Sequence, residues 1–297
     1  MRRNAFLALT LLAPLLAFSG SASAQVATSQ TTSTTTTPRV TKLLVVMEEN
    51  HSLAEMRAKM PYTFGLAKQY GYATNYHALT HPSLPNYIGI TGGATYGITD
   101  DRPPAGHRIT RQSVFGEAVR HGKTAQTFSE SMPHRCTLTN SGRYAVRHNP
   151  WTYFVDNRRG CQNHDRRMIA FGPVVRRGNL PRVGMVIPNL DHDAHDGSLR
   201  AADTWFQNLV KTIVAGPDWK SGHLAVVLTA DEDDHKSGNT VLTTVITKSL
   251  YNKHRVVTTR LTHYSLTRLY DEVAGLPLLH NAASAPSMAR AFHLRVS

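Results

Sequence analysis

The sequence predicts an α/β fold in which a mostly parallel sheet is covered by helices on both faces. Short apolar runs, typical of strands buried on both sides, recur at 42–47, 183–187, 224–228 and 241–247. Segments with helical features lie between or after these runs, at 64–71, 114–122, 199–214 and 264–275. Strands that alternate with helices in this way are typical of a parallel sheet between two helical layers.

The chain begins with the pattern of a secretory signal peptide. Residues 1–4 are basic, residues 5–18 are apolar but too few to span a membrane, and Ala22-Ser23-Ala24 offers a cleavage site before Gln25. We therefore expect residues 1–24 to be removed and the protein to be secreted or periplasmic. Residues 25–39 are mostly Thr, Ser and Gln, which predicts a disordered linker before one domain over 40–297.

Each predicted element has a local reason in the sequence. The run 42–47 is almost uninterrupted in its apolar character, as in a central strand, and the helical segments 64–71 and 114–122 end in glycine. The segment 199–214 has an apolar face formed by Ala202, Trp205, Phe206, Leu209, Val210 and Ile213. Residues 100–180 are rich in Arg, His, Pro and Gly, so we expect them to form an irregular cap or insertion.

The chain is strongly basic, with a formal net charge of +13 that falls to +11 without Arg2 and Arg3. Such a charge suits an anionic partner, either a phosphorylated substrate, an anionic lipid surface or a nucleic acid. The basic residues are scattered over 102–182 and form no nucleic-acid-binding motif, so we expect no nucleic acid partner. A field that steers an anionic substrate and a merely solubilising surface both remain open.

Cys136 and Cys161 are the only cysteines in the sequence. In an exported protein they are expected to pair, closing a loop of about 25 residues and stabilising it by about 3 kcal/mol in the chain-entropy account. Their spacing excludes a CxxC zinc site. The alternative is a pair of free, buried thiols.

Three polar clusters directly follow predicted strands, at 48–51, 189–196 and 231–234. Because the carboxyl ends of parallel strands lie along one edge of a sheet, we expect the clusters to meet there. A solvated turn and an acidic first turn of a helix are the alternatives for the first and third clusters. In the second, Asp191, Asp193 and His195 alternate, and their mutual repulsion would be offset by a cation or a basic group.

Ser83 lies in the segment 80–87, on which the prediction of an active site is centred. Pro82 and Pro85 restrict the backbone on either side of its hydroxyl. Glycines further along indicate a turn that leads into a short helix, whose free N–H groups would face an anion. This arrangement suits a nucleophile that attacks a phosphorus or acyl centre. The alternative is a proline-rich surface turn.

Several motifs together resemble one family. They are Glu49-Asn50-x-Ser52, Thr80-His81-Pro82-Ser83-x-Pro85-Asn86-Tyr87, Arg143-Tyr144-x-x-Arg147-His148-x-Pro150-Trp151, Pro188-Asn189-x-Asp191-x-Asp193-x-His195-Asp196-Gly197-Ser198, Thr229-x-Asp231-Glu232-Asp233-Asp234 and His263-Tyr264-Ser265. In this order they resemble the phosphoesterase family of secreted acid phosphatases and bacterial phospholipases C. Within it, the chain is most similar to short secreted phosphatases described as acid or phosphatidylinositol 3-phosphate phosphatases. The resemblance covers about 42–280 and implies the three-layer α/β/α sandwich of the alkaline-phosphatase-like superfamily.

The resemblance also implies roles for single residues. Ser83 would be the nucleophile, Asn86 would contact a phosphate oxygen, and a divalent cation would be held by Glu49, Asn50, Asp231 and Glu232. The superfamily's two-zinc pattern has Asp-His where this chain has Asp231-Glu232, and a lone Asp where it has Glu49-Asn50. Metal identity and number therefore stay open, although oxygen ligands favour Ca²⁺ or Mg²⁺ over zinc.

Further residues are expected to handle the phosphate. Arg147 and His148 would stabilise its equatorial oxygens, and Asp191 and His195 would bind phosphate or a second metal. His195 or His263 would protonate the leaving oxygen, which favours a mildly acidic optimum. For His263, capping of the last helix is the structural alternative.

The expected function is metal-dependent hydrolysis of phosphomonoesters through a phosphoserine, on a small phosphorylated molecule or a phosphoinositide, with peripheral contact with an anionic membrane. A phospholipase C-like phosphodiesterase is the first alternative. A non-catalytic polyanion-binding protein would explain the charge but not the three acidic clusters. An acyl hydrolase is disfavoured because no G-x-S-x-G motif is present. The sequence leaves the oligomeric state open.

Overall fold

Ten strands account for the β structure of the residues described in the computed structural model, which are 37–250 and 252–296 together with 1, 9–11 and 13–14. They are β1 (Lys42–Glu48), β2 (Gly71–Ala73), β3 (Tyr76–His77), β4 (Ala125–Ser129), β5 (Asp165–Arg167), β6 (Val183–Ile187), β7 (Leu224–Ala230), β8 (Thr243–Thr247), β9 (Arg255–Val257) and β10 (Leu261–Thr262).

Eight of these strands form a central sheet in the order β5-β4-β6-β1-β7-β8-β2-β9. The first five run parallel, while β8 is antiparallel to β7. In the middle of the sheet Val45 is in register with Met185 on one side and Val227 on the other. The strands β3 and β10 form a separate parallel pair. The expected mostly parallel sheet is therefore confirmed.

Ten α-helices lie in the same part of the chain. They are α1 (Leu53–Lys59), α2 (Pro61–Gln69), α3 (Ser83–Gly92), α4 (Val114–Arg120), α5 (Arg158–His164), α6 (Phe171–Arg176), α7 (Leu199–Ala215), α8 (Pro217–Lys220), α9 (His263–Ala274) and α10 (Met288–Phe292). Short 3₁₀ turns fill much of the stretch between 146 and 157.

The helices form two groups with the sheet between them. One group comprises α1, α2, α6, α7 and α8, with α8 against β7; the other comprises α3, α4, α9 and α10, with α9 against β1. The helix α7 buries the predicted apolar face, except that Trp205 is half-buried. Every residue of β6 and β7 is buried, because helices cover both faces of the sheet.

Three features refine the predictions. The expected irregular cap over 100–180 is wrong in part, because β4 and β5 of this segment belong to the central sheet and α4 packs against it. The predicted strand over 241–247 starts at Thr243 and runs antiparallel to its neighbour. The expected disulfide between Cys136 and Cys161 is present.

The N-terminal expectations fall outside this description. The chain divides into two units, residues 1–36 and 37–297, and the fold above is that of the second. Most of the predicted signal peptide and most of the predicted linker lie outside the described residues. Within the described residues, no helix combines the length and the apolar character that crossing a membrane requires.

Candidate active site

The three polar clusters meet at one edge of the sheet. Since β1 lies between β6 and β7, the residues that follow these strands become neighbours. The backbone N–H of Glu49 donates to the carbonyl of Asp193 at 2.7 Å, and that of Asp231 donates to the carbonyl of Glu48 at 3.0 Å. The parallel arrangement therefore brings together the acidic residues that the sequence distributes over almost 200 positions.

Ser83 is the first residue of α3 and is buried beside this edge. Its hydroxyl donates a hydrogen bond of 3.0 Å to Oε2 of Glu49. The other oxygen of Glu49 accepts a short hydrogen bond from the hydroxyl of Tyr87, one turn further along α3. The N–H of Leu84 donates to Asp101 at 2.9 Å. The serine hydroxyl is thus held against a carboxylate at the start of a helix.

Asn86 fixes the loop that carries the serine. Its Oδ1 accepts hydrogen bonds from the N–H groups of Leu79 and Thr80 at 2.9 and 3.2 Å. Its Nδ2 donates to the carbonyl of Thr80 at 2.8 Å and to Oε2 of Glu232 at 3.2 Å. In this arrangement Asn86 shapes the backbone around Ser83 and positions Glu232, and its amide reaches the predicted metal ligands.

Asp231 lies at the centre of the carboxylate cluster. Its Oδ1 accepts hydrogen bonds from the N–H groups of Asn50 at 3.1 Å and Glu232 at 2.7 Å. Its Oδ2 is buried and has no hydrogen-bond partner among the described residues. Asn50, whose backbone has a φ of 58°, thus contacts Asp231 through its backbone N–H.

His263 lies behind this cluster and does not reach a substrate. It is fully buried at the start of α9, with Nε2 2.6 Å from the carbonyl oxygen of Asp231 and Nδ1 3.0 Å from the hydroxyl of Tyr76. Burial lowers the pKa of His263 to about 4. Both ring nitrogens are used inside the protein, so the expectation that His263 contacts phosphate or protonates the leaving group is corrected to a positioning role.

His148 joins two of the strand-end clusters. Its Nε2 lies 3.3 Å from Oε2 of Glu49 and its Nδ1 lies 3.1 Å from Oδ2 of Asp193. The ring stacks on Tyr87 with 5.2 Å between centroids, and it is almost fully buried. Burial lowers the pKa of His148 well below its ordinary value. In this structure His148 therefore supports Glu49 from behind and does not line an open surface.

Arg147 and His195 lie at the mouth of the site. A nitrogen of the Arg147 guanidinium is 3.0 Å from Nε2 of His195, whose Nδ1 is 2.6 Å from Oδ1 of Asp196. The Asp196 carboxylate favours the tautomer with its proton on Nδ1, which leaves Nε2 as an acceptor for Arg147. Both side chains are partly exposed. Both therefore combine contact with solvent and a position next to the carboxylate cluster, where His195 lies 5.9 Å from His148 between ring centroids.

Asp191 faces away from the carboxylate cluster. Its side chain is half-exposed and forms a bidentate ion pair with the guanidinium of Arg143. Arg143 also pairs with Asp196 at 3.0 Å. The expectation that Asp191 binds phosphate or metal is not supported by this placement. Asp193, two residues further on, occupies the buried position instead.

The buried carboxylates make the site electrostatically suited to a cation. Burial, followed by the charges of Asp231 and Asp193, raises the pKa of Glu49 well above its ordinary value. Burial likewise raises the pKa of Asp231 to about 7 and that of Asp193 to about 7. Buried acids that repel one another in this way favour a bound cation or bound protons. Ligand atoms of Glu49, His148 and Asp193 lie within 4.8 Å of one another, but both ring nitrogens of His148 already face these carboxylates, whereas Oδ2 of Asp231 has no hydrogen-bond partner among the described residues.

Three residues near Ser83 had been given no role by the sequence, and a fourth, Asp193, had appeared only as a member of the alternating cluster with Asp191 and His195. Asp193 and Tyr87 contact His148 and Glu49, while His81 and His235 stack on each other beside Glu232. All except His235 occur in the motifs that carry the resemblance, which is the signal that could have marked them. The orientation of each side chain, which decides its role, is not encoded in any spacing.

Comparison with known proteins identifies the family. The model of the phosphoesterase family matches residues 55–237, more than half of the chain. A phosphatidylinositol-3-phosphatase from Mycobacterium tuberculosis is 30% identical over 257 residues, which cover 84% of this chain and 82% of that protein. A phosphate-repressible acid phosphatase from Penicillium chrysogenum is 27% identical over 72% of this chain, which spans about half of that relative's length, 54%.

Solved structures show the same fold at low sequence identity. A protein of the alkaline phosphatase superfamily from Vibrio parahaemolyticus matches with a TM-score of 0.58 and 10% identity, over 86% of this chain and 72% of that one. The lipoteichoic acid synthase LtaP from Listeria monocytogenes matches with a TM-score of 0.55 and 9% identity, over 83% and 76%. The solved structures show the fold, while the family match and the sequence relatives show that the chain belongs to the phosphoesterase family and is a hydrolase acting on phosphoric ester bonds.

Proposed function

We propose that this protein is an exported, metal-dependent phosphatase that cleaves phosphomonoesters below neutral pH through a phosphoserine at Ser83. The observation that carries the proposal is the hydrogen bond of 3.0 Å between the Ser83 hydroxyl and buried Glu49, beside the carboxylate of Asp231. A nucleophile held against buried acids at a helix start is the arrangement that covalent phosphoryl transfer requires. The signal sequence described above supports export.

The residues proposed to hold the divalent ion are Glu49, Asp231 and Glu232, with Asn50 adjacent. The unpartnered buried oxygen of Asp231 supports this assignment, because an orphaned carboxylate oxygen is costly unless a ligand satisfies it. Oxygen donors predominate, which favours Ca²⁺ or Mg²⁺. When bound, such an ion neutralises phosphate charge and lowers the pKa of a neighbouring hydroxyl.

The side chains supply the remaining steps. Oγ of Ser83 attacks phosphorus as the bond to the leaving oxygen breaks, and the serine proton passes to Oε2 of Glu49, which accepts the hydroxyl's hydrogen bond at 3.0 Å. Arg147, at the mouth, pairs with the equatorial oxygens of the phosphoryl group. His195 acts in its doubly protonated form: Asp196 holds Nδ1–H at 2.6 Å, and the proton on Nε2 passes to the leaving oxygen once Arg147 has turned from His195 to the phosphoryl group. Water then hydrolyses the phosphoserine.

A phosphoinositide is the substrate class that we propose. The Mycobacterium tuberculosis relative is named as a phosphatidylinositol-3-phosphatase, and the net charge, +13 for the full chain and +11 without Arg2 and Arg3, favours anionic surfaces. A group of arginines lies near the disulfide: Arg135 donates to the carbonyl of Asn163, and Nε of Arg166 is buried without a hydrogen-bond partner. Burial and the charge of Arg135 lower the pKa of Arg166. An anionic headgroup would satisfy these donors.

The test is an assay of purified protein on three substrates. We expect release of inorganic phosphate from p-nitrophenyl phosphate and from phosphatidylinositol 3-phosphate vesicles, with a maximum below pH 7, and little cleavage of bis(p-nitrophenyl) phosphate. Chelation should abolish the activity, and Ca²⁺ or Mg²⁺ should restore it. Preferred cleavage of the diester would favour a phospholipase C-like activity. Full activity in protein shown by elemental analysis to be metal-free would contradict the metal assignment.

A further inference from the structure

Two atoms that can each accept a hydrogen bond lie opposite each other beside the loop that carries Ser83. Nδ1 of His81 lies 3.3 Å from Oε1 of Glu232. This nitrogen is buried and has no hydrogen-bond partner among the described residues. The other oxygen of Glu232 accepts the Asn86 amide at 3.2 Å, so the two carboxylate oxygens serve different neighbours. Oε1 is thus turned towards the histidine.

In the tautomer whose proton is on Nε2, His81 carries a lone pair on Nδ1. On the opposite side of the ring, Nε2 lies 3.4 Å from Oδ1 of Asp233. Asp233 is fixed by backbone N–H groups of His235, Ser237 and Asn239, each at 2.8 Å, so it is an acceptor held in place. A carboxylate on one ring nitrogen selects the tautomer that leaves the other nitrogen free for a metal. The lone pair then points at a carboxylate oxygen.

His235 completes the group. Its ring stacks on that of His81 with 3.8 Å between centroids and 25° between planes. Its backbone is left-handed, with a φ of 64°, a conformation that non-glycine residues adopt uncommonly. Ligand atoms of His81, Glu232 and His235 all lie within 4.8 Å of one another. In the stacked arrangement the in-plane lone pairs of the two rings do not converge, so the ring of His235, which is exposed to solvent, has to turn for both to bind one ion.

We propose that His81, Glu232 and His235 form a zinc-class transition-metal site with a fourth position open to solvent. Two ligands on a tetrahedral zinc at about 2.0–2.1 Å are about 3.3–3.4 Å apart, which is the separation of Nδ1 and Oε1. Two imidazoles and one carboxylate suit zinc better than calcium or magnesium. The ion would also join the loop before Ser83 to the loop after β7.

This site differs from the oxygen-rich cluster of Glu49 and Asp231. It shares Glu232 with that cluster, through Oε1, and adds two histidines that have no part in the proposed phosphoryl transfer. Metal binding here does not depend on phosphatase activity, so its test reads metal content and ligand geometry.

The test compares two asparagine variants of the purified protein. After chelator treatment and dialysis, Zn²⁺ binding is measured by calorimetry, and Co²⁺ is used as a spectroscopic probe of four-coordinate geometry. His235→Asn removes one ligand, and asparagine tolerates a positive φ. We expect its zinc affinity at this site to fall at least about tenfold, since loss of even an outer contact costs that much. The absorption of four-coordinate cobalt should disappear with it.

His254→Asn is the matched control, because His254 is also exposed and also left-handed, with a φ of 60°. It should bind zinc and cobalt as the wild type does. Glu49→Gln should keep the cobalt signal, which would separate the two metal positions. The proposal is overturned if His235→Asn binds zinc and cobalt like the wild type, or if the wild type has no site with four-coordinate cobalt absorption.

Discussion

Oγ of Ser83 and Oε2 of Glu49 are joined by a hydrogen bond of 3.0 Å, although 34 positions separate the two residues. Glu49 follows the central strand β1 and Ser83 begins α3. The same Glu49 oxygen lies 3.3 Å from His148, which in turn contacts Asp193 at 3.1 Å. Glu49 therefore connects the serine to a buried row of polar groups.

Glu49→Gln should remove most of the activity, because it removes the charge that orients the serine and that would hold the ion. We expect a decrease of about 10²- to 10⁴-fold in kcat, the range typical of a lost catalytic acid or base. The control is Glu55→Gln on α1, whose carboxylate pairs with Lys59 and His51 and should be dispensable. Near-normal turnover by Glu49→Gln would show that the serine is activated in another way.

His263→Phe should weaken divalent-metal binding by about 10- to 100-fold, the cost typical of losing a group that orients a ligand. The reason is that Nε2 of His263 holds the carbonyl of Asp231 at 2.6 Å. Tyr76→Phe, which removes only the hydroxyl behind the ring, should have a smaller effect in the same direction. Calorimetric titration with Ca²⁺ or Mg²⁺ measures both. Unchanged affinity with abolished activity would instead point to direct contact between His263 and substrate.

Asp271 on α9 should make the fold less stable as the pH rises. Burial raises its pKa to about 8, and Oδ1 has no hydrogen-bond partner among the described residues. The unfolded value is about 3.9, so the stabilising effect of the proton is complete below about pH 4 and is lost as pH rises through about 8. Asp271→Asn should therefore match wild type in Tm at pH 4 and exceed it at pH 9.

The measurement is thermal unfolding across this pH range, with Asp156→Asn as the control at an exposed position. The control should follow the pH dependence of the wild type. A constant difference in Tm between Asp271→Asn and wild type at all pH values would contradict the raised pKa.

The sequence predicted the long central strands of the sheet better than the short strands at or near its edges. β1, β6 and β7 are continuous apolar runs, because helices cover both faces of the sheet, and this pattern is readable without a structure. The strands β2, β5 and β9 have three residues each, too few for any periodicity. The direction of β8 cannot be deduced from composition, since parallel and antiparallel buried strands have similar residues.

The candidate site was likewise predictable only in part: the sequence predicted which clusters meet, but not how each side chain is oriented. That acidic clusters would meet at one sheet edge follows from strand direction, and the structure has them there. Side-chain orientation does not follow from spacing: Asp191 pairs with Arg143 outside, while Asp193 turns inward to His148. His263 was expected near substrate because of its motif, yet burial at the start of α9 directs its ring to Tyr76 and to the Asp231 backbone.

Turnover of phosphoinositide vesicles should depend on the arginines near the disulfide. The double variant Arg135→Gln/Arg166→Gln should lower activity on anionic vesicles and leave activity on p-nitrophenyl phosphate unchanged. Salt should have a similar effect on the wild type, as the Debye length falls from about 10 Å at 0.1 M to about 3 Å at 1 M. Arg200→Gln on α7 is the control. Equal loss on both substrates, or no effect of salt on vesicles, would contradict lipid docking by this group.

Covalent phosphorylation of Ser83 is the central claim. Ser83→Ala should abolish nearly all turnover while retaining the fold, and Ser83→Thr should retain part of it, since threonine also supplies a hydroxyl. Thr80 is the nearest rival, but its hydroxyl donates to the carbonyl of His81 at 3.1 Å, so Thr80→Ala should do less harm. The most direct measurement is rapid acid quenching during turnover of ³²P-labelled substrate, followed by peptide mapping. The account predicts label on Ser83; label on Thr80, or wild-type turnover by Ser83→Ala, would contradict it.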